Sequence, residues 1–178
     1  MKKILVMDAS ALILLGKCGL IEVLSKEFRV IIPRKVLNEV ADEEILKQYP
    51  DANVIIELVH SKKIEVISTE KGRVKIPITL DEGETEAILL ARQKGNAILA
   101  TDDGKAIKAC RYLKIPFIIS PKVVTELYRL RKIDMMEAKH SIEKLGIIGR
   151  YSPEIISEAL IRLKEVRDVE TNNRKSSG

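Results

Sequence analysis

Residues 80–105 read LDEGETEAILLARQKGNAILATDDGK and contain the signals for a helix, a turn, a buried strand and two aspartates. The spacing predicts a helix that is capped by Asp81 and ends at Gly95. The apolar run at 97–100 has the length of a strand that is buried on both faces of a parallel sheet. The Thr-Asp-Asp-Gly that follows then lies at the carboxyl end of that strand, where open α/β sheets bind their ligands.

Two glutamates in the first turns of this helix are predicted to face different ways. Glu84 shares a helical face with Ala87, Ile88 and Ala91. This spacing predicts that the Glu84 side chain points toward the sheet. Glu86 lies roughly half a helical turn away, which predicts a solvent-facing side chain.

Strand patterns alternate with helix patterns along most of the chain. Such alternation is typical of βαβ units with a parallel sheet and right-handed crossovers, so the sequence predicts an α/β fold. The predicted strands lie at 4–7, 28–32, 64–67, 97–100 and 117–119. The segment at 42–51 is predicted to be a turn, and the segment at 68–79 a loop or short hairpin.

Length and composition suit one domain with a small helical annex. Hydrophobic residues make up 46 % of the 178 residues but aromatic residues only 3 %, so we predict an aliphatic core. Helices are predicted at 121–131, 135–145 and 153–169. We therefore predict a main domain at 1–131, a helical extension at 132–169 and a disordered tail at 170–178.

Acidic residues fall at corresponding places in the predicted fold. Asp8 ends the first strand, and Asp102 and Asp103 end the fourth. Glu39 lies on the helix after the second strand, and Glu84 opens the helix before the fourth. All five carboxylates can therefore converge on one edge of the sheet.

Each of these acids also has an ordinary structural explanation. Asp8 is a suitable N-cap, Glu39 can pair with Lys35 four residues earlier, and Glu84 can complete a capping box with Asp81. The two aspartates after the fourth strand can form a turn and a helix cap. These roles do not explain why two strand ends and two helix faces all carry acids.

Several classes of protein are disfavoured by the sequence. It has no apolar run long enough for a membrane span, and we expect no signal peptide and no membrane partner. Cys18 and Cys110 are predicted to be reduced thiols of a cytoplasmic protein. His60 and His140 are isolated, which argues against a zinc site, and the glycine-rich loops of nucleotide-binding proteins are missing.

Charge is distributed unevenly along the chain. Residues 1–103 carry 15 Lys and Arg and 17 Asp and Glu, a net charge of −2, whereas residues 104–178 carry 16 and 9, a net charge of +7. A basic surface beside an acidic pocket suits a polyanion held by its backbone. We therefore expect Lys105, Lys108 and Arg111 to contact such a polyanion, although ordinary solvated side chains would give the same pattern.

The motifs together resemble PIN domains, the nuclease fold of VapC-like toxins and of several RNA-processing nucleases. The resemblance extends over about residues 3–120 in the expected order. It rests on Val6–Ile13, on Ile32 and Pro33 with Val36 and Glu39, on Gly83–Ile88 and on Leu99–Asp103. The GE-x-EA-I segment and the extra C-terminal helices are similar to an archaeal and bacterial VapC-like group.

The resemblance implies a three-layer α/β/α fold with a central parallel sheet, followed by C-terminal helices. It also implies that Asp8, Glu39, Glu84 and Asp102 bind a metal, with Asp103 as the alternative to Asp102, and that Ser10 supports the first aspartate. Mg²⁺ and Mn²⁺ prefer such oxygen ligands. The implied activity is metal-dependent hydrolysis of RNA phosphodiester bonds, and the implied protein partners are a second copy and an antitoxin.

Two other functions are compatible with the residues. A phosphoacceptor signalling domain also gathers acids at strand ends, although its paired acids usually follow the first strand. A catalytically silent PIN-fold module could bind RNA or protein without cutting. Aspartyl phosphorylation by a small phosphodonor would distinguish the first, and a cleavage assay with Mn²⁺ the second.

Overall fold

The computed structural model describes residues 2–42, 52–69 and 77–175. Its five strands are β1 Ile4–Met7, β2 Arg29–Pro33, β3 Ile64–Ile67, β4 Ala97–Ala100 and β5 Phe117–Ile118. They form one parallel sheet in the order β3-β2-β1-β4-β5. The predicted parallel α/β architecture is confirmed. Most of the turn predicted at 42–51, and the middle of the loop or hairpin predicted at 68–79, lie outside the described residues.

Helices connect the strands and follow the last one. In the described ranges they are α1 Ala9–Lys17, α2 Ile21–Glu27, α3 Arg34–Val40, α4 Ala52–His60, α5 Glu82–Lys94, α6 Gly104–Leu113, α7 Ser120–Arg129, α8 Met135–Ile148 and α9 Pro153–Lys175. Asp81 caps α5 and Gly95 ends it with a φ of 67°, as the sequence predicts. None of these helices is both long enough and apolar enough to cross a membrane.

The strand order divides the helices between the two faces of the sheet. From β1 the chain moves outward to β2 and β3, then returns to the other side of β1 as β4 and continues to β5. Because parallel crossovers are right-handed, these opposite directions place α1, α2 and α4 on one face and α5 and α6 on the other, while α3 contacts α1 as well as α5. This is the predicted three-layer α/β/α arrangement.

The central strands are held by aliphatic packing against α5 and α6. Val6, Ile31 and Leu99 of the sheet belong to one buried cluster with apolar residues of both helices, including Ala87 and Ile88. Met7 of β1 pairs with Ala100 of β4, so the two strands end level with each other. The residues that follow them therefore leave the sheet side by side.

The chain divides into two compact units between Ile119 and Ser120. The second unit contains α7, α8 and α9, which pack against one another. The sequence predicts a domain boundary at 131, after α7, and this boundary stays a prediction, although α7 lies in the same compact unit as α8 and α9. The last helix runs to Lys175, so it includes much of the segment predicted to be a disordered tail.

Candidate functional site

The chain changes direction across the sheet between β1 and β4, and parallel sheets bind ligands at such points. Asp8 follows β1, and Asp102 and Asp103 follow the neighbouring β4. The backbone N–H of Asp8 donates to the carbonyl of Ala100 at 3.2 Å. The aspartates that the sequence places at two strand ends therefore flank one crevice.

Asp8 is the N-cap of α1, but this role occupies only one of its carboxylate oxygens. Oδ1 accepts hydrogen bonds from the backbone N–H of Ala11 at 2.9 Å and from the hydroxyl of Ser10 at 2.7 Å. Oδ2 is buried and has no hydrogen-bond partner among the residues that the structure describes. An unsatisfied buried acceptor costs about 1–3 kcal/mol, so Oδ2 would gain from a cation or another donor.

Burial makes the charged form of Asp8 unfavourable. Desolvation raises its pKa from 3.8 to about 6, although the polar groups of Ala11, Thr101 and Ser10 favour the charged form. The negative charge of Asp102 raises the pKa further. A positive ion at this position would offset both effects.

Ser10 connects the end of β1 to the turn after β4. Its hydroxyl donates to Asp8 Oδ1 and accepts from the backbone N–H of Asp102 at 2.9 Å. This one side chain therefore orients the Asp8 carboxylate and holds Asp102 beside it. The geometry is that expected of a residue that supports the first aspartate.

Glu84 forms the capping box that its spacing from Asp81 allows. Its backbone N–H donates to Asp81 Oδ1 at 2.7 Å, and its Oε2 accepts from the backbone N–H of Asp81 at 2.9 Å. Desolvation raises the pKa of Glu84 to about 7 against the effect of the Asp81 N–H, and the Asp103 carboxylate raises it further. Glu84 is therefore both a helix cap and a carboxylic acid whose pKa lies near neutral pH.

Asp103 is the N-cap of α6 and the partner of Glu84. Its Oδ1 accepts from the backbone N–H groups of Lys105 at 2.7 Å and Ala106 at 2.9 Å. Burial by itself would raise the pKa of Asp103, but the N–H of Ala106, the Glu84 carboxyl and Lys105 outweigh it and lower the pKa. A proton shared by Glu84 and Asp103 therefore resides on Glu84.

Glu39 extends from α3 toward α5, and its carboxylate lies against Gly83. Partial burial raises the pKa of Glu39, and the charges of Asp81 and Asp8 raise it further. The ammonium group of Lys35 pairs with Glu82 of α5. The expected alternative, a surface pair between Lys35 and Glu39, is therefore not formed.

The prediction that Glu86 faces solvent is wrong. Glu86 is half-buried, and its Oε2 accepts a hydrogen bond from the backbone N–H of Lys35 at 3.3 Å. The reason is that α3 packs against α5 on this side. Helical spacing places Glu86 away from Glu84, but it does not reveal the helix that covers it.

The acids meet in pairs. Asp8 lies with Asp102, and Glu84 with Asp103. Within 2–42, 52–69 and 77–175, no three His, Cys, Asp or Glu side chains are grouped closely enough to hold a metal ion. Carboxylates repel each other in the absence of a counter-ion. The donor set, the unpartnered Oδ2 and the raised pKa values nevertheless fit a hard divalent cation.

Two supporting residues were not identified from the sequence. Thr101 is fully buried, and its hydroxyl accepts from the backbone N–H of Asp103 at 3.3 Å. Asp81 was considered only as a cap, yet its charge contributes to the raised pKa of Glu39. The sequence did contain a signal for Thr101, because it is a hydroxyl residue directly between an apolar strand and two aspartates.

The predicted basic residues lie on the helix that begins at the acids. Lys105, Lys108 and Arg111 recur every three residues on α6, and all three are exposed. The guanidinium of Arg111 lies 5.8 Å from the centroid of the Phe117 ring. The helix begins directly after Asp103, so its basic residues extend away from the acidic crevice.

Similarity to known proteins extends over most of the chain. A family model described as a PIN domain matches residues 4–165. A PilT N-terminus domain protein from the hyperthermophilic archaeon Sulfolobus solfataricus has a similar solved structure, with 20 % sequence identity and a TM-score of 0.48. The alignment covers 67 % of this chain and 89 % of that one. No curated protein matches the sequence.

Proposed function

The chain belongs to the PIN-domain family, and from this premise we propose that it is an endoribonuclease that uses Mg²⁺ or Mn²⁺ to hydrolyse RNA phosphodiester bonds. PIN domains are commonly nucleases and generally use divalent metals. The observation that carries the proposal is the buried and unpartnered Oδ2 of Asp8 at the switch point of the sheet. Buried polar atoms without partners are rare, and a catalytic role is one of the usual reasons for them.

We assign the metal to Asp8, Glu39, Glu84 and Asp102, with Asp103 as the alternative ligand. Ser10 holds the backbone of Asp102 beside Asp8, whereas Asp103 uses Oδ1 to cap α6. These contacts favour Asp102 over Asp103. When bound, the ion would activate a water molecule and stabilise the negative charge of the phosphoryl centre.

The chain's own residues would orient the site and move a proton. Ser10 and the Ala11 N–H fix one oxygen of Asp8 and leave the other for a ligand. In the metal-free protein the pKa of about 7 lets the Glu84 carboxyl hold a proton at neutral pH, and Glu84 would release that proton when it binds the metal.

RNA is the proposed substrate, held by Lys105, Lys108 and Arg111 on α6. The resemblance to VapC-like proteins adds three further proposals, namely a homodimer, a cognate antitoxin and a cytoplasmic location. A small neighbouring open reading frame whose product neutralises the protein would support the toxin role.

A silent PIN-fold binding module is the second candidate. It is favoured by the arrangement of the acids, because in the described ranges no three of them are grouped closely enough to hold a metal ion. A phosphoacceptor function has no support from membership of the PIN-domain family. A cleavage measurement separates the nuclease from the silent module most directly.

The test compares wild type with Asp8→Asn in excess Mn²⁺ and in chelator. We expect wild type to cleave a labelled single-stranded RNA only with metal, and Asp8→Asn not to cleave it. Bound metal should add about 2.7 kcal/mol to wild-type stability at roughly 100 times its Kd. At roughly 2–4 °C per kcal/mol, the wild-type melting temperature should rise by several degrees, and that of the variant should rise much less.

In the metal-free protein, a higher stability of Asp8→Asn would support the convergence of the acids, whereas an unchanged stability fits both candidates. If the acids converge, Asp8→Asn should leave stability in chelator unchanged or raise it, because one repelling charge is removed. If Asp8 is only a cap, the variant should be nearly neutral, because Asn caps as well as Asp, and neither protein should respond to metal. A wild type that binds RNA without cutting it would favour the binding module.

A further inference from the structure

The Glu39 carboxylate occupies the space beside α5 that a side chain at position 83 would need. An ideal Cβ on Gly83 would lie 2.3 Å from Oε1 of Glu39 and 2.9 Å from both its Cδ and its Oε2. A carbon atom does not come this close to a heavy atom to which it is not bonded, so one of the two groups would have to move. Any residue other than glycine at 83 therefore competes with the carboxylate of Glu39.

The backbone gives no reason for glycine at this position. Gly83 lies in the first turn of α5, and the glycines with positive φ in the described part of the chain are Gly19 and Gly95. Alanine is a better helix residue than glycine, because glycine loses more conformational freedom on folding. The feature that requires glycine is the neighbouring carboxylate.

We propose that Gly83 is a positioning residue, whose missing side chain allows the Glu39 carboxylate to lie against α5 among the metal-binding acids. This inference rests on the proposed function, because it takes Glu39 to be a metal ligand. Gly83 does not itself touch the metal or the substrate. It acts through the position of Glu39.

The two helices cannot easily move apart to make room. The backbone N–H of Lys35 on α3 donates to Glu86 of α5, and the ammonium group of the same lysine pairs with Glu82. Glu39, in contrast, has a long side chain whose carboxylate can move by a change of rotamer. A methyl group at 83 should therefore displace the carboxylate and leave the fold intact.

Gly83→Ala tests this displacement without relying on catalysis. Isothermal titration of the full chain with Mn²⁺ should show about 10- to 100-fold weaker binding, the loss typical of changes to groups that hold a ligand in place. The melting temperature in chelator should be unchanged or higher, because alanine favours the helix. A purely structural role would instead lower it.

Gly16→Ala is the matched control. Gly16 is also helical and lies in the same unit, but a Cβ there would make only ordinary contacts, the nearest at 3.6 Å to Ile55. This variant should bind Mn²⁺ like wild type. A rescue test uses Glu39→Asp, whose shorter side chain needs less room, so Gly83→Ala should cost less affinity in that background than in wild type.

The possible results are distinct. Equal Mn²⁺ affinity of Gly83→Ala and wild type would overturn the inference and leave the proposed function standing. A lower melting temperature of Gly83→Ala in chelator would also overturn it. A wild type that binds no Mn²⁺ would overturn the proposed function and this inference together.

Discussion

Single residues at this site combine a structural and a chemical role. Asp8 caps α1 with Oδ1, and the Oδ2 of the same carboxylate is buried without a hydrogen-bond partner in the described part of the chain. Glu84 completes a capping box, and its pKa is nevertheless raised to about 7. A capping function is therefore no argument against a catalytic one, because a carboxylate has two oxygens.

The stability of the metal-free protein should depend on pH through Asp8. Its pKa is raised from 3.8 to about 6 in the folded protein, so folding favours the protonated form. The contribution of Asp8 to the stability of the folded protein is fully present below about pH 4 and is lost as the pH rises through about 6. A pKa shift of this size corresponds to roughly 3 kcal/mol in the free energy of unfolding. Urea unfolding in chelator at pH 4 and pH 7 measures the loss.

Asp8→Asn is the control for this pH dependence, because its side chain does not titrate. The variant should lose less stability than wild type between the two pH values, by up to about 3 kcal/mol. An identical loss in both proteins would contradict the raised pKa. Saturating Mn²⁺ should oppose the trend, because metal ligands must be deprotonated to bind.

At the scale of elements, the first turn of α5 carries three functions at once. Asp81 and Glu84 cap the helix, Gly83 admits the Glu39 carboxylate, and Glu82 pairs with Lys35. The apolar face of the same helix packs on the sheet through residues such as Ile88. The helix start is thereby fixed from several sides, which suits a turn that orients catalytic groups.

Glu84→Gln should abolish RNA cleavage, whereas Glu86→Gln should not. Glutamine can replace glutamate in a capping box, so Glu84→Gln keeps the helix cap but removes the charge and the titrating proton. Glu86→Gln keeps an oxygen that can accept from the Lys35 N–H. Single-turnover cleavage in Mn²⁺ measures the effect, with melting temperatures in chelator as the check on folding. Equal losses of cleavage would refute the assignment of Glu84.

At the scale of the whole molecule, charge and topology point to the same edge of the sheet. The acids lie where the parallel strands end, and α6 carries exposed basic residues away from them. Residues 104–119, which belong to the same compact unit as the acids, carry four Lys or Arg and no Asp or Glu. Under the proposed function, these basic residues would hold the RNA backbone beside the metal site.

Reversing the charges of Lys105, Lys108 and Arg111 together should weaken RNA binding and reduce its salt dependence. Each lost phosphate contact on single-stranded RNA should lower the salt slope by about 0.7, so three contacts correspond to about 2. Fluorescence anisotropy across a salt series measures both quantities. The same reversal at Lys2, Lys3 and Lys62, at the amino-terminal edge of the sheet, is the control and should change them little. Unchanged affinity for the α6 variant would place the RNA surface elsewhere.

Local patterns in the sequence were sufficient to predict the secondary-structure elements and the fold class. The period of the apolar residues, the cap at Asp81 and the glycine at 95 predicted α5, and the four apolar residues at 97–100 predicted β4. These signals are short-range, because each depends on residues that are neighbours in the chain. The order of the acidic motifs then indicated the PIN-domain family, which the match over 4–165 confirms.

The tertiary structure alone decided what the side chains of the site contact. The resemblance implied Asp102 as the ligand and Asp103 as its alternative, and folding makes Asp103 the cap of α6 and brings Asp102 to Ser10. Folding also brings Glu86 to α3 and places the Glu39 carboxylate against Gly83, which has no side chain in that space. These contacts join residues that are far apart in the chain. They are determined by the packing of α3 against α5 and by the pairing of β1 with β4. No local pattern in the sequence encodes that packing or that pairing.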